Sequence, residues 1–128
     1  MGIGQAKLLG GTSAYLVGRI RDAAGLMLTA AAVESILRRV VEPKSGMSFG
    51  DDPTSLVVAD SIFDAEETWS RFEAADSDPD GWCNFRDRIS ADLLPDAAGK
   101  YVVTYRVTTT SGEVIGLKYL VDVEPSGF

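Results

Sequence analysis

Hydrophobic and polar positions alternate most regularly near the end of the chain. Tyr101, Val103, Tyr105 and Val107 alternate with Val102, Thr104, Arg106 and Thr108; beyond Ser111-Gly112, Ile115, Leu117, Tyr119, Val121 and Val123 alternate against Lys118, Asp122 and Glu124. A period of two sends successive side chains to opposite faces of a strand. The pattern therefore predicts two half-buried antiparallel strands, Lys100 to Thr110 and Glu113 to Val123, joined by a tight turn.

Shorter pieces of the same kind lie upstream. Ala14 to Arg21 predicts a first strand, with Leu16 and Ile20 on one face and Arg19 and Arg21 on the other. Asp22-Ala23-Ala24-Gly25 supplies turn chemistry before Leu26-Met27-Leu28. Residues 29–41 admit two readings, a helix capped by Thr29 with Val33, Ile36, Leu37 and Val40 on one face, or a strand through Ile36 to Val41. Dividing the segment gives a helical turn over Ala30 to Val33 and a strand from Ser35 to Val41. Pro43 and the run from Gly46 to Pro53 predict a loop, and Ser55 to Ala59 a short apolar strand. Asp64 followed by Glu67 has capping-box spacing, and Trp69 with Phe72 gives one apolar side to a short helix ending near Ala74. Cys83 to Ile89 predicts another strand, Cys83, Phe85 and Ile89 facing one way and Asn84, Arg86 and Arg88 the other.

The expected fold class is all-β, an immunoglobulin-like antiparallel β-sandwich with one or two short helical insertions. Residues 14–124 form the sandwich and 125–128 a tail. Residues 1–13, with glycines at 2, 4, 10 and 11, are expected as a flexible arm. Ile3, Leu8 and Leu9 are its candidate contacts to a neighbouring subunit.

Composition narrows the chemistry. With 128 residues and 45% hydrophobic content, the chain suits one domain with its own core. A net charge of −7 argues against a nucleic-acid surface, whose affinity comes largely from Lys and Arg neutralising phosphates. There is no histidine, which removes the commonest general base and metal ligand. Cys83 is the only cysteine, so no intrachain disulfide forms, and no base accompanies it to make a thiolate. The sequence shows neither a signal-peptide pattern near its start nor a membrane-length apolar run, so synthesis in the cytosol and no membrane partner are the expectations.

One stretch has metal-like spacing. Asp76, Asp78 and Asp80 occupy alternate positions before Gly81, and Asp87 stands twelfth from Asp76, the oxygen-rich pattern of a calcium loop. Pro79 and the strand pattern after Cys83 depart from that motif, and a solvated turn is the competing reading. Calcium is the one candidate cofactor. Asp51-Asp52 and Glu66-Glu67 carry no sign of a shared apolar pocket that would split their pKa values. No catalytic residue is assigned, and the chain is not expected to be an enzyme. Trp69, Phe72 and Trp82 suit a core or lid; as a stacking surface they would make the domain a small carbohydrate- or peptide-binding module, the alternative function.

Asp96-Ala97-Ala98-Gly99-Lys100-Tyr101 resembles the tyrosine corner of immunoglobulin-like sandwiches, with Asp96, Gly99 and Tyr101 as its structural residues. Val103 stands where antibody-type domains place a disulfide cysteine, so the resemblance is to disulfide-free relatives. Arg21-Asp22-Ala23-Ala24-Gly25, Leu28-Thr29-Ala30-Ala31-Ala32-Val33, Pro95 to Tyr101 and the Ser111-Gly112-Glu113 hairpin together resemble the immunoglobulin-like N-terminal domain of phage baseplate upper proteins and related tail, neck and decoration proteins. That resemblance implies a virion structural protein, made in the host cytoplasm and assembled into the virion as an adaptor, connector or decoration subunit. It implies contacts with other virion proteins and a homo-oligomer.

Overall fold

A computed structural model describes residues 3–9, 13–68, 74–75, 82–89 and 99–124. Two sheets pack face to face. The strands are β1 (Ile3–Leu9), β2 (Ala14–Gly18), β3 (Val33–Val41), β4 (Ser48–Leu56), β5 (Ile62–Thr68), β6 (Ala74–Ala75), β7 (Trp82–Ile89), β8 (Gly99–Thr109) and β9 (Val114–Glu124). A 3-10 turn at Ala30–Ala32 leads into β3, and a single α-helical turn, α1 (Val58–Ser61), separates β4 from β5. One sheet runs β1-β9-β8-β3-β4 and the other β5-β7-β2-β6. The order β9-β8-β3-β4 matches the G-F-C-C′ sheet of immunoglobulin variable-type domains, and β5-β7-β2 the D-E-B part of the other sheet. This is an immunoglobulin-like sandwich. Its internal pairings are antiparallel, while the flanking pairs β1–β9 and β2–β6 are parallel.

The final hairpin forms where the alternation puts it, with Gly99 to Thr108 in register against Val123 to Val114. Tyr101, Val103, Tyr105, Val107, Leu117, Tyr119, Val121 and Val123 are buried. At the turn Gly112 has φ +91°, and the Thr109 amide and hydroxyl both bond to Glu113. The helical turn before β3 and the strand at Cys83 to Ile89 also stand as expected. The core joins these strands to Leu16, Ile20, Leu28, Ile36, Val40, Ile62 and Phe85. Tyr105 sits at its centre, edge-on to Phe85 at 4.9 Å and to Tyr119 at 5.8 Å between ring centroids.

Four segments differ from the sequence expectation. Ile3–Leu9 is not a flexible arm but an edge strand, its backbone in register with Lys118 to Glu124; β9 offers a full-length ladder that outweighs the conformational freedom of Gly4. The run expected as a loop, Gly46 to Pro53, is largely β4: Arg38 pairs with Thr54 and Val40 with Phe49, so residues 50–53 bulge opposite Arg39. Pro53 cannot donate to a ladder and is accommodated at this bulge of an edge strand. Of the strand expected over Ser55 to Ala59, Ser55 and Leu56 close β4 while Val58 and Ala59 enter α1, and Asp64 to Thr68, where the capping-box spacing predicted the start of a helix, lie in β5. Pairing with β7, through an irregular register between Ile62 and Glu67, overrides the local helical signal.

Candidate functional site

Charged side chains break the apolar face of two strands at facing positions. Arg38 shares its face of β3 with Ile36 and Val40 and lies opposite Tyr105 on β8. Asp87 shares its face of β7 with Phe85 and Ile89. The Arg38 guanidinium donates from Nη1 to Asp87 Oδ2 at 2.9 Å, and the Tyr105 hydroxyl donates to the same oxygen at 2.5 Å. The ion pair is only 12% and 11% exposed, and it ties the two sheets together. Arg38 Nε is buried without a hydrogen-bond partner among the described residues. Burial first, and then the Asp87 charge and hydrogen bond, hold the Tyr105 hydroxyl well above the ordinary tyrosine value, with Arg38 opposing.

A second polar lock involves Asn84, which is fully buried. Its amide nitrogen donates to the carbonyls of Ile20 at 2.9 Å and Leu28 at 3.0 Å, and its oxygen accepts from the Ile20 amide at 2.6 Å. The loop between these two residues is closed further by Asp22, whose carboxylate accepts from the amides of Ala24 and Leu26 around Gly25, at φ +84°.

The outer face of the five-stranded sheet mixes apolar and charged groups. In register across it lie Leu37, Arg106 and Gly116; then Arg39, Thr104 and Lys118; then Val41, Val102 and Leu120. Leu37, Val41 and Val102 are half-buried and Leu120 is 39% exposed. A groove of about 280 Å³ runs between β3, β4 and β8, lined by Leu37, Arg38, Arg39, Pro53, Thr104 and Arg106. Such a surface can take up an apolar side chain beside a carboxylate. On the other sheet, Arg86 lies over the rings of Tyr15 at 5.1 Å and Phe63 at 4.8 Å.

The residues singled out from sequence fall as follows. Tyr101 is buried and edge-on to Phe49 at 5.5 Å, with burial and then Glu42 raising its hydroxyl pKa. A side chain at Gly99 would come within 3.3 Å of that hydroxyl, so the glycine leaves room for it. Asp96 lies outside the described residues. Ile3, Leu8 and Leu9 pair through their backbones with Lys118, Val123 and Glu124 of their own chain. Asp87 stands in a strand and is engaged by Arg38 and Tyr105, while Asp76, Asp78 and Asp80 lie outside the described residues, as do Trp69 and Phe72 and the tail 125–128. Trp82 opens β7. Cys83 is buried. Among the described residues no cluster of three or more acidic or cysteine side chains is placed to hold a metal, and no helix is long and apolar enough to cross a membrane.

Sequence reasoning missed the ion pair and Asn84. The first had a signal, since Arg38 and Asp87 each interrupt an otherwise apolar face; the second had none, because alternation put Asn84 with the outward Arg86 and Arg88. A comparison with protein-family models and one with curated proteins each find no match for this chain.

Proposed function

We propose that this protein is a structural subunit of a phage virion, an adaptor, connector or decoration protein that acts through protein–protein contacts rather than catalysis. The observation that carries this reading is the outer face of the five-stranded sheet, where half-buried Leu37, Val41 and Val102 and exposed Leu120 lie among Arg39, Arg106 and Lys118. Apolar and charged groups interleaved on a broad sheet face suit the core and rim of a protein interface. The turn segments that resemble phage baseplate domains support the same reading: the Asp22 carboxylate caps the turn around Gly25, and Gly99 leaves room for the Tyr101 hydroxyl.

In this reading the partners are other virion proteins and further copies of the chain, the destination after synthesis in the host cytoplasm is the virion, and neither nucleic acid nor membrane is contacted. Mass spectrometry of purified particles from the phage that encodes the chain is the test. The expected result is the chain present at a fixed ratio to the major structural proteins and retained through density-gradient banding; its absence from banded particles overturns the reading.

A further inference from the structure

The edges of the two sheets are not alike. β1 and β4 border one sheet, β5 and β6 the other. A strand edge is a row of backbone donors and acceptors, a template for another strand, and folded proteins blunt it with proline, bulges, charge or brevity. β4 carries Pro53 within the bulge opposite Arg39. β5 runs in an irregular register between Ile62 and Glu67, and β6 is two residues long. β1 has neither proline, bulge nor brevity: its seven residues hold an unbroken register against β9 and include a single charge, Lys7. Among the described residues no strand pairs with its other side.

We infer that the outer edge of β1 pairs with β1 of a second copy of this chain across a two-fold axis, joining two five-stranded sheets into one of ten strands. The inference rests on the structural role proposed above and gives that role a specific contact between copies. A strand that pairs with itself about a two-fold axis does so antiparallel, in an isologous contact. Because side chains alternate, each residue must stand opposite one of its own parity if the two core faces are to stay on the same side. Centred on Ala6, the pairing sets Ile3 opposite Leu9, Gly4 opposite Leu8 and Gln5 opposite Lys7, and it engages all seven residues. The nearest other registers that keep parity are centred on Gln5 and Lys7. Each leaves two residues of β1 unpaired, and the second opposes Lys7 to itself, a like-charge pair that is unfavourable. In the Ala6 register each lysine meets a glutamine, and Ile3, Leu8 and Leu9 meet a neighbouring copy from within a strand rather than from a free arm. The contact uses up the edge it is made from, so it closes at two copies.

Sedimentation velocity of the full chain tests this, and the expected result is a monomer–dimer equilibrium that grows no further. Gln5→Lys sets a lysine opposite Lys7 twice in each dimer and should weaken it roughly three- to tenfold, while Gln5→Glu sets opposite charges there and should tighten it by a similar factor. Both variants are expected to keep wild-type circular dichroism. Cysteines read the register. Gln5→Cys and Lys7→Cys, mixed and oxidised, should give a disulfide-linked heterodimer, and each alone far less, because its two sulfurs then stand diagonally instead of opposite. A wild-type chain monomeric up to about 1 mM, lysine and glutamate at position 5 acting alike, or a mixture that links no better than either cysteine variant alone overturns the inference. A monomer that is still found in purified particles overturns this contact while sparing the virion role; dimerisation as described with no chain in particles overturns the role and leaves the contact standing.

Discussion

Asn84 closes the loop between Ile20 and Leu28 with a single side chain. Replacing it by Ala strands the Ile20 amide and the Leu28 carbonyl, at roughly 1–3 kcal/mol for each buried group. Urea denaturation should therefore place Asn84→Ala roughly 3–5 kcal/mol below wild type. Asn84→Asp is expected to be worse near neutral pH, since a carboxylate faces two carbonyls, and to recover partly in acid as protonation restores a donor. The ion pair behaves differently because each member depends on the other. Arg38→Met leaves a buried carboxylate and should cost about 3–5 kcal/mol, while Arg38→Met with Asp87→Leu should regain most of that loss. A double-mutant cycle of the four chains measures it. At Gly18 a Cβ would lie 2.7 Å from the Tyr119 hydroxyl, which donates to the Val17 carbonyl at 2.7 Å from a fully buried ring. Gly18→Ala should cost about 1–3 kcal/mol by overpacking, and much less in a Tyr119→Phe background, as thermal melts of the two pairs would show.

Strands with strict alternation were legible in the sequence and strands with irregular registers were not. β8, β9 and the Ser111-Gly112 turn could be read directly because inward and outward residues never change parity over eleven residues in either strand. β4 and β5 carry bulges, across which the apolar period breaks, and the residues within them, Pro53 in one and Asp64 in the other, signal a loop and a helix cap when taken alone. β1 was missed for another reason: its strand state depends on β9, more than a hundred residues away, and nothing local in a glycine-flanked heptad announces that partner. Of the candidate site, the cations of the outer face were visible as polar positions, but their grouping needed the order β9-β8-β3, which no single segment contains. Gly112→Ala tests the hairpin at this scale. With φ +91° and open space around it, the only cost is backbone strain, about 1 kcal/mol or slightly more, with the melting temperature lowered and the fold unchanged.

For the molecule as a whole, two buried tyrosines set the alkaline limit. Tyr101 and Tyr105 both have hydroxyls raised above the ordinary value of 10.0. A raised pKa means that the unfolded chain loses these protons first. Their contribution is complete below about pH 10 and is lost as the pH climbs from there through the folded-state values. Denaturation midpoints should hold steady below that point and fall above it, and the part of the tyrosinate absorbance that Tyr105→Phe removes should rise together with unfolding rather than before it. Tyr105→Phe should flatten the decline.

β1 and β9 have a mechanical meaning that follows from their direction alone. They run parallel along one edge, seven residues in register, with the chain leaving upstream of Ile3 and downstream of Glu124. Pulling those two ends apart drags the strands past each other, so the ladder is loaded in shear and its hydrogen bonds resist together; an antiparallel pair pulled from its open end would instead unzip bond by bond. A domain wired in this way carries tension along its own backbone, and stretching it by the two ends should meet its main resistance before any other strand gives.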